Sequence, residues 1–184
     1  MSRLHENPRD GPERGREGHD LSRERAADLY QQHAANAVQL AYLLTGNRHL
    51  AEDLAQDAFV RLFGRFQELR KREAFAFYLR RTIVNLSRDH FRRLQRERAL
   101  SRRQRGPEAK DDDQLSRVDA RDELLQALQT LPPPQRAAVV LRFCESLSEH
   151  EAAEVLETSV GAVNSLVSRG LTTLRRRVRS EDSG

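Results

Sequence analysis

Residues 146–178 read SLSEHEAAEVLETSVGAVNSLVSRGLTTLRRRV. Ser148 stands immediately before an apolar-periodic run, and Glu151 follows three residues later. That pair is the pattern of a capping box, which starts a helix. Ala152 and Ala153 are small where a second helix has to approach, and Val155 and Leu156 supply apolar contacts. Thr158-Ser159 predicts a turn. Val160, Val163, Val167 and Leu171 then recur at helical spacing, so a last helix runs from about Val160 to Val178. The stretch from about Ser148 to Leu171 is therefore a helix-turn-helix. Its outward positions, Ala162, Asn164, Ser165, Ser168 and Arg169, are left to face a major groove. Arg169 has the fork to hold guanine bidentately, and Asn164 has the donor and acceptor to read adenine. Arg175, Arg176, Arg177 and Arg179 suit phosphates, which position a protein without specifying sequence. A helical hairpin with a basic end shares the spacing, but four features in register favour DNA.

Upstream, Arg121 to Gln129 carries Leu124, Leu125 and Leu128, and Leu131-Pro132-Pro133-Pro134 stops that helix. Gln135 to Glu145 forms the next, with Ala138, Val139, Leu141 and Phe143 apolar. The lone cysteine, Cys144, has no partner for an internal disulfide, and its place beside Phe143 predicts packing rather than a redox role. From Leu100 to about Asp119 the apolar pattern vanishes. Gly106-Pro107 and the run Asp111-Asp112-Asp113 mark a linker. Twenty residues reach at most about 70 Å, roughly two turns of B-DNA.

The N-terminal half is a second helical unit. Residues 1–21 hold Gly, Pro and charge with almost no apolar residues and are expected to be disordered. Ser22 reads as an N-cap, and Leu29, Tyr30, Ala37, Val38, Ala41, Tyr42 and Leu44 give a helix to about Thr45, ended by Gly46-Asn47. A second helix carries Leu50, Leu54, Ala58, Leu62, Phe63 and Phe66. After the polar stretch Gln67 to Glu73, a third runs from about Ala74 to Ala99, with Phe75, Tyr78, Leu79, Ile83, Leu86 and Phe91 able to pack. Three such helices make a small bundle. Between Arg61 and Arg105 there are 15 Arg/Lys against 4 Asp/Glu, a bias that suits a polyanion and also suits a solvated helix face. The whole chain, 184 residues at a formal net charge of +4, is predicted to be all-α. It divides into a tail (1–21), a first domain (22–99), a flexible acidic linker (100–120), a helix-turn-helix domain (121–179) and a short disordered tail (180–184). Its six histidines form no ligand pair, no carboxylate cluster has metal spacing, and no apolar run is long enough to span a bilayer. No metal, no cofactor and no catalytic residue is expected, which speaks against a small nuclease. A stand-alone helix-turn-helix regulator is the competing reading.

Three further segments carry a resemblance. Ala51-Glu52-Asp53-Leu54-Ala55-Gln56-Asp57-Ala58-Phe59 is similar to the region 2.2 motif of bacterial extracytoplasmic-function (ECF) σ factors of the σ70 family. Tyr78-Leu79-Arg80-Arg81-Thr82-Ile83-Val84-Asn85, with Asp89 and Arg92-Arg93, resembles regions 2.3–2.4. Leu131-Pro132 with Arg136, Leu141-Arg142 and the helix-turn-helix resemble region 4. The match covers about residues 23–178 in order, and the arginine bias resembles actinobacterial members. The resemblance implies a σ2-like bundle and a σ4-like domain. It implies a cytoplasmic, nucleoid-associated initiation factor that binds core RNA polymerase at the β′ clamp helices and the β flap, reads −35 and −10 promoter elements, and answers to an anti-σ factor without entering a membrane. On it, Asp53, Gln56 and Asp57 would dock on polymerase. Leu69, Arg70, Lys71 and Arg72 would belong to the loop that captures a flipped −10 base, with Phe75 a candidate for its wall. Arg80, Arg81, Asn85, Arg88, Arg92 and Arg93 would contact −10 DNA. Two departures stand out. Tyr78 replaces a common tryptophan, and Gly161-Ala162-Val163-Asn164-Ser165-Leu166 lacks the usual threonine and two basic residues, so the −35 sequence should differ or be bound more weakly.

Overall fold

The computed structural model describes residues 13–64, 72–105 and 123–181. Within them the chain forms α1 (Glu13–Thr45), α2 (Arg48–Phe63), α3 (Arg72–Arg105), α4 (Glu123–Gln129), α5 (Pro133–Val139), α6 (Glu149–Leu156) and α7 (Val160–Glu181), and the described residues contain no strand. Phe66, Leu69, Arg70 and Lys71 lie outside the described residues, as does most of the expected linker. Two helices are longer than their sequence predicts. α1 opens at Glu13, not at Ser22, so residues 13–21 are not disordered tail. Gly15 and Gly18 argued against helix there, at about 1 kcal/mol each, but Arg and Glu around them are good helix formers, and the nearest strong breaker is Pro12. α3 runs to Arg105, so 100–105 is helix and not linker. Nothing in that stretch interrupts a helix before Gly106-Pro107.

Residues 1–33 and 34–184 form two compact units. In the first, α1 buries Leu29 and exposes Tyr30. In the second, the rest of α1 buries Ala37, Leu40, Ala41, Leu43 and Leu44, while Val38 and Tyr42 are only half-buried. The inward stripe is thus rotated slightly from the one expected. α2 is capped by Asn47, whose side chain accepts from the Leu50 N–H at 3.0 Å, and buries Leu54, Ala58, Phe59 and Leu62. Phe75 of α3 is almost fully buried, its ring centroid 6.0 Å from that of Phe59 and 5.8 Å from that of Phe63. Such aromatic contacts add to area burial. Phe75 is therefore packed in the core, the other of its two expected places. Tyr78 is partly exposed and meets Phe77 edge-on.

The prolines that were read as a stop also start the next helix, since Pro133 and Pro134 occupy the first positions of α5, where no N–H partner is needed. α5 continues as a π-helical turn over Val140–Cys144, with the Glu145 N–H on the Val140 carbonyl at 3.0 Å. In a uniform α-helix Phe143 would fall below buried Val139. The wider turn rotates it outward, and Phe143 is 57% exposed. Cys144 is exposed as well, against the expectation that it packs. Its thiol is pushed up by partial burial and by the Glu145 carboxylate, which lowers thiolate reactivity. Ser148 and Glu151 form the predicted capping box. Glu157, in the left-handed conformation at φ 55°, ends α6 and makes the turn to α7.

One crossing depends on a glycine that the sequence pattern did not mark. Gly170 of α7 is buried, and a Cβ there would lie 2.8 Å from Val139 Cγ2 on α5. Gly170→Val is expected to destabilise the chain by about 1–3 kcal/mol through overpacking, read as a lower urea midpoint at unchanged slope. Unaltered stability would show that the α5–α7 crossing relaxes freely.

Candidate nucleic-acid interface

α7 presents its exposed residues at a helical repeat. Gly161, Asn164, Ser165, Ser168 and Arg169 are exposed, while Val163 and Gly170 are buried beneath. Four of the five outward positions expected from sequence share this face. Ala162 does not: it is half-buried, three residues into the helix, where its N–H is held by the Ser159 hydroxyl at 3.2 Å. Arg175 and Arg176 are exposed further along the helix. Arg169 turns Nε back to the Ser165 carbonyl at 3.1 Å, which directs the guanidinium along the helix. Asn164 donates from Nδ2 to Glu149 Oε2 at 3.0 Å. That bond takes up one of the two N–H donors of the amide and leaves the other, with Oδ1, for a base.

The acidic and amide positions of α2 behave as the spacing predicts. Asp53, Gln56 and Asp57 are all exposed, with Leu54, Ala55 and Ala58 buried behind them. Val60, one turn on, is 64% exposed. It adds an apolar element to that face, which a search for charged residues passes over.

The basic helix α3 is not open. Arg80 Nε donates to Glu145 Oε2 at 2.6 Å, and this pair is partly buried. Arg81 donates to Glu157 Oε1, Arg88 Nη2 lies 3.5 Å from Glu157 Oε2, and Arg88 also donates to Asn85 Oδ1. Asn85 bonds the same carboxylate. Four residues expected to hold −10 DNA are thus gathered on two glutamates from the helix-turn-helix half. The Arg81 hydrogen bond and charge, with smaller help from Asn85 and Arg88, hold the Glu157 carboxyl below its ordinary value. A depressed carboxyl pKa means that these contacts are in place above about pH 4.5 and are lost as pH falls through the lowered value. Arg92 and Arg93 are exposed, and Arg92 faces Asp89 at 3.9 Å. Arg72 opens α3.

Neither Glu145 nor Glu157 was marked as functional by sequence. Their significance comes only from the docking of the two halves, which Arg136 anchors. Arg136 is 5% exposed. It donates to the Leu44 carbonyl at 2.5 Å, to the Gln129 and Leu131 carbonyls at 3.2 and 3.0 Å, and to the Gln129 side chain. Its guanidinium lies 5.5 Å from the Phe91 ring centroid. Gln129 donates to the Leu43 carbonyl at 3.1 Å. The second half thereby caps the C-terminus of α1, where carbonyls lack helical partners and a cation is favoured. Gly46, at φ 70°, leaves the room: a Cβ there would lie 2.6 Å from Gln129. Beside this anchor the seam holds a cavity of about 380 Å³, lined in part by Val84, Ser87, Phe91, Pro134 and Leu166. Among the described residues no group of three His, Cys, Asp or Glu is placed to hold a metal ion, and no helix is long and apolar enough to cross a membrane.

Comparison with known proteins agrees with this layout. Residues 29–97 match the family model for σ70 region 2, and residues 121–174 match that for σ70 region 4. An RNA polymerase σ-E factor of Streptomyces avermitilis is 35% identical over 132 residues, covering 72% of this chain and 73% of that protein. The ECF RNA polymerase σ factor SigE of Mycolicibacterium smegmatis is 38% identical over 80% of this chain, which spans 59% of that relative's length. In structure, the σ factor RpoE of Bartonella quintana, solved with the anti-σ factor NepR, superposes with a TM-score of 0.61. It is 22% identical and covers 83% of this chain and 97% of its own, a likeness of fold.

Proposed function

The chain belongs to the ECF σ factors of the σ70 family, and from that we propose that it binds core RNA polymerase and directs it to promoters, with α7 at the −35 element and α3 at the −10 element. The observation that carries this reading is the presence, in one chain, of an exposed row on α7, an arginine-rich helix α3 and an exposed acidic face on α2. The exposed row of α7 suits a major groove. The arginines of α3, with Asn85, suit phosphates and an unstacked base. Asp53, Gln56 and Asp57 on α2 suit basic partner residues on polymerase. Leu69, Arg70, Lys71 and Arg72 are assigned to −10 capture by family resemblance.

The site on α3 is occupied by Glu145 and Glu157 in the free chain, so promoter engagement requires the two halves to part. The ion pairs at the seam are exchangeable for phosphates, and the cavity beside them leaves less apolar contact to break. Opening would place one half on each promoter element. The protein would supply no catalysis of its own. Melting at −10 would be driven by capture of unstacked bases, which offsets the few kcal/mol of flipping. It would act in the cytoplasm at the nucleoid. An anti-σ factor, as in the solved relative of the same fold, would hold it inactive.

Run-off transcription with purified core polymerase tests the whole reading: the chain should confer initiation at a defined subset of promoters. Sequence-specific DNA binding by the free protein, with no affinity for core, would establish a stand-alone regulator instead. For the polymerase face, Asp53→Arg with Asp57→Arg is expected to weaken core binding at least tenfold, because like charges would face the basic partner. Unchanged affinity in a pull-down titration would remove α2 from the interface.

A further inference from the structure

The stripe of α3 that lines the seam carries a polar side chain whose hydrogen bonds are unmet. Ser87 is 4% exposed, and its Oγ has no hydrogen-bond partner among the described residues. Hydroxyls elsewhere in these helices turn back to the carbonyl four residues earlier: Thr45 donates to Ala41, Thr82 to Tyr78 and Ser165 to Gly161. That local bond is the ordinary outcome for a helical hydroxyl. Ser87 does not make it, and Ser87 lines the cavity of about 380 Å³ at the seam. A buried hydroxyl without a partner carries its full desolvation cost, which a polar group brought into the cavity would relieve.

The rest of the lining divides into apolar walls and a basic mouth. Val84 and Phe91 on α3 face Leu156 and Leu166 across the cavity, and the exposed Thr158 stands at its edge. The volume falls near the low end of the roughly 300–1,000 Å³ of small-molecule sites, which suits a small aromatic body. Arg88 and Arg92 continue the same stripe of α3. Arg88 is held by Asn85 and Glu157. Arg92 is exposed, with Asp89 3.9 Å away, and a guanidinium has five N–H donors to share. From Ser87 to Arg92 is five residues, about 7.5 Å along the helix axis. The cavity thus holds an unmet hydroxyl within, apolar walls between, and a cation at its mouth.

We propose that this cavity binds a small aromatic hydroxy acid, with its hydroxyl on Ser87, its ring against the apolar walls and its carboxylate on Arg92. Such a ligand touches both halves and fills the seam with apolar contact. It binds the docked arrangement in preference to the parted one, and so shifts the balance toward the docked form by its difference in affinity. It also takes Arg92 away from −10 DNA. A small molecule would then hold the chain from its promoters. The site stands on the cavity itself; its effect on promoters rests on α3 being the −10 helix.

The probe is 6-hydroxy-2-naphthoate, a fluorescent acid with its hydroxyl and carboxylate at opposite ends of two fused rings. Titrated into the full-length chain, it should bind saturably and in equal stoichiometry. Ser87→Ala should weaken it about fivefold, the worth of an ordinary hydrogen bond, and leave 2-naphthoate, which lacks the hydroxyl, unchanged. That contrast separates contact with Ser87 from a change in the fold. Arg92→Ala should weaken both acids, and Thr158→Trp, at the exposed rim, should block both. With saturating probe, the affinity of wild type for a single-stranded −10 oligonucleotide should fall about fivefold, the low end of coupling between sites, and the probe should have no such effect on Thr158→Trp. Four results overturn the inference: no saturable binding, the two acids affected alike by Ser87→Ala, unchanged binding in Thr158→Trp, or a −10 affinity indifferent to the probe. Failure of the underlying reading looks different. The chain would then bind no −10 oligonucleotide with or without probe, while probe binding would still depend on Ser87.

Discussion

Arg136→Ala is expected to lower the unfolding free energy by about 3 kcal/mol, since hydrogen bonds to a charged group are each worth roughly 1.5–3 kcal/mol and partners left buried pay their desolvation. For a chain of this size that is a fall in Tm of about 6–12 °C. Three carbonyls, of Leu44, Gln129 and Leu131, and the Gln129 side chain share this one guanidinium. Burial pushes its pKa down to about 10, so it stays charged at neutral pH and keeps all of these bonds. Buried charges can often be replaced by apolar groups at little cost, but not here. Arg136→Met fills the volume and still leaves the carbonyls of Leu44, Gln129 and Leu131 without this donor. It should therefore recover little of the loss. Arg136→Lys keeps the charge but not the fork that reaches four acceptors, and should fall between. A change below about 0.5 kcal/mol in Arg136→Ala, the range of ordinary surface substitutions, would mean that the seam between the halves does not contribute to folding stability.

Glu145→Gln with Glu157→Gln should raise the affinity of the free chain for a single-stranded −10 oligonucleotide roughly tenfold. Each pair released is modest at an exposed site, but Glu157 holds Arg81, Asn85 and Arg88 together, and Glu145 holds Arg80 in a partly buried pair. Phosphates and these carboxylates compete for the same donors. Binding by the wild type and by the double variant should converge at high salt, which screens the phosphate contacts as well as the ion pairs. Fluorescence anisotropy measures both effects. Equal affinities at low salt would show that the two glutamates do not obstruct the −10 face.

Much of this molecule is legible in its sequence because the relevant signals are local. A capping box needs only Ser148 and Glu151. The outward row of α7 and the exposed Asp53, Gln56 and Asp57 follow from a 3.6-residue repeat against a buried stripe. The misreadings also have local causes. Gly, Pro and charge with almost no apolar residues made the start of α1 read as tail, and the fading of apolar residues after Ala99 was taken for the end of a helix, although no breaker precedes Gly106-Pro107. The π-helical turn changes the repeat for five residues, and a constant period then places Phe143 and Cys144 on the wrong face.

The helix-turn-helix, the basic helix and the acidic face of α2 were determined by the sequence itself, through periodicity, capping and charge placement. The use made of them was decided by tertiary structure. Leu44 and Arg136 are 92 residues apart, and Arg81 and Glu157 are 76 apart. No periodicity relates such positions. The pairing of Asn164 with Glu149 spans a turn and takes up one of the amide's two N–H donors. Hydrogen bonds and ion pairs have a reach of a few ångströms in space and none along the chain. Which donors are spent and which are left for DNA is therefore settled only when the helices are packed.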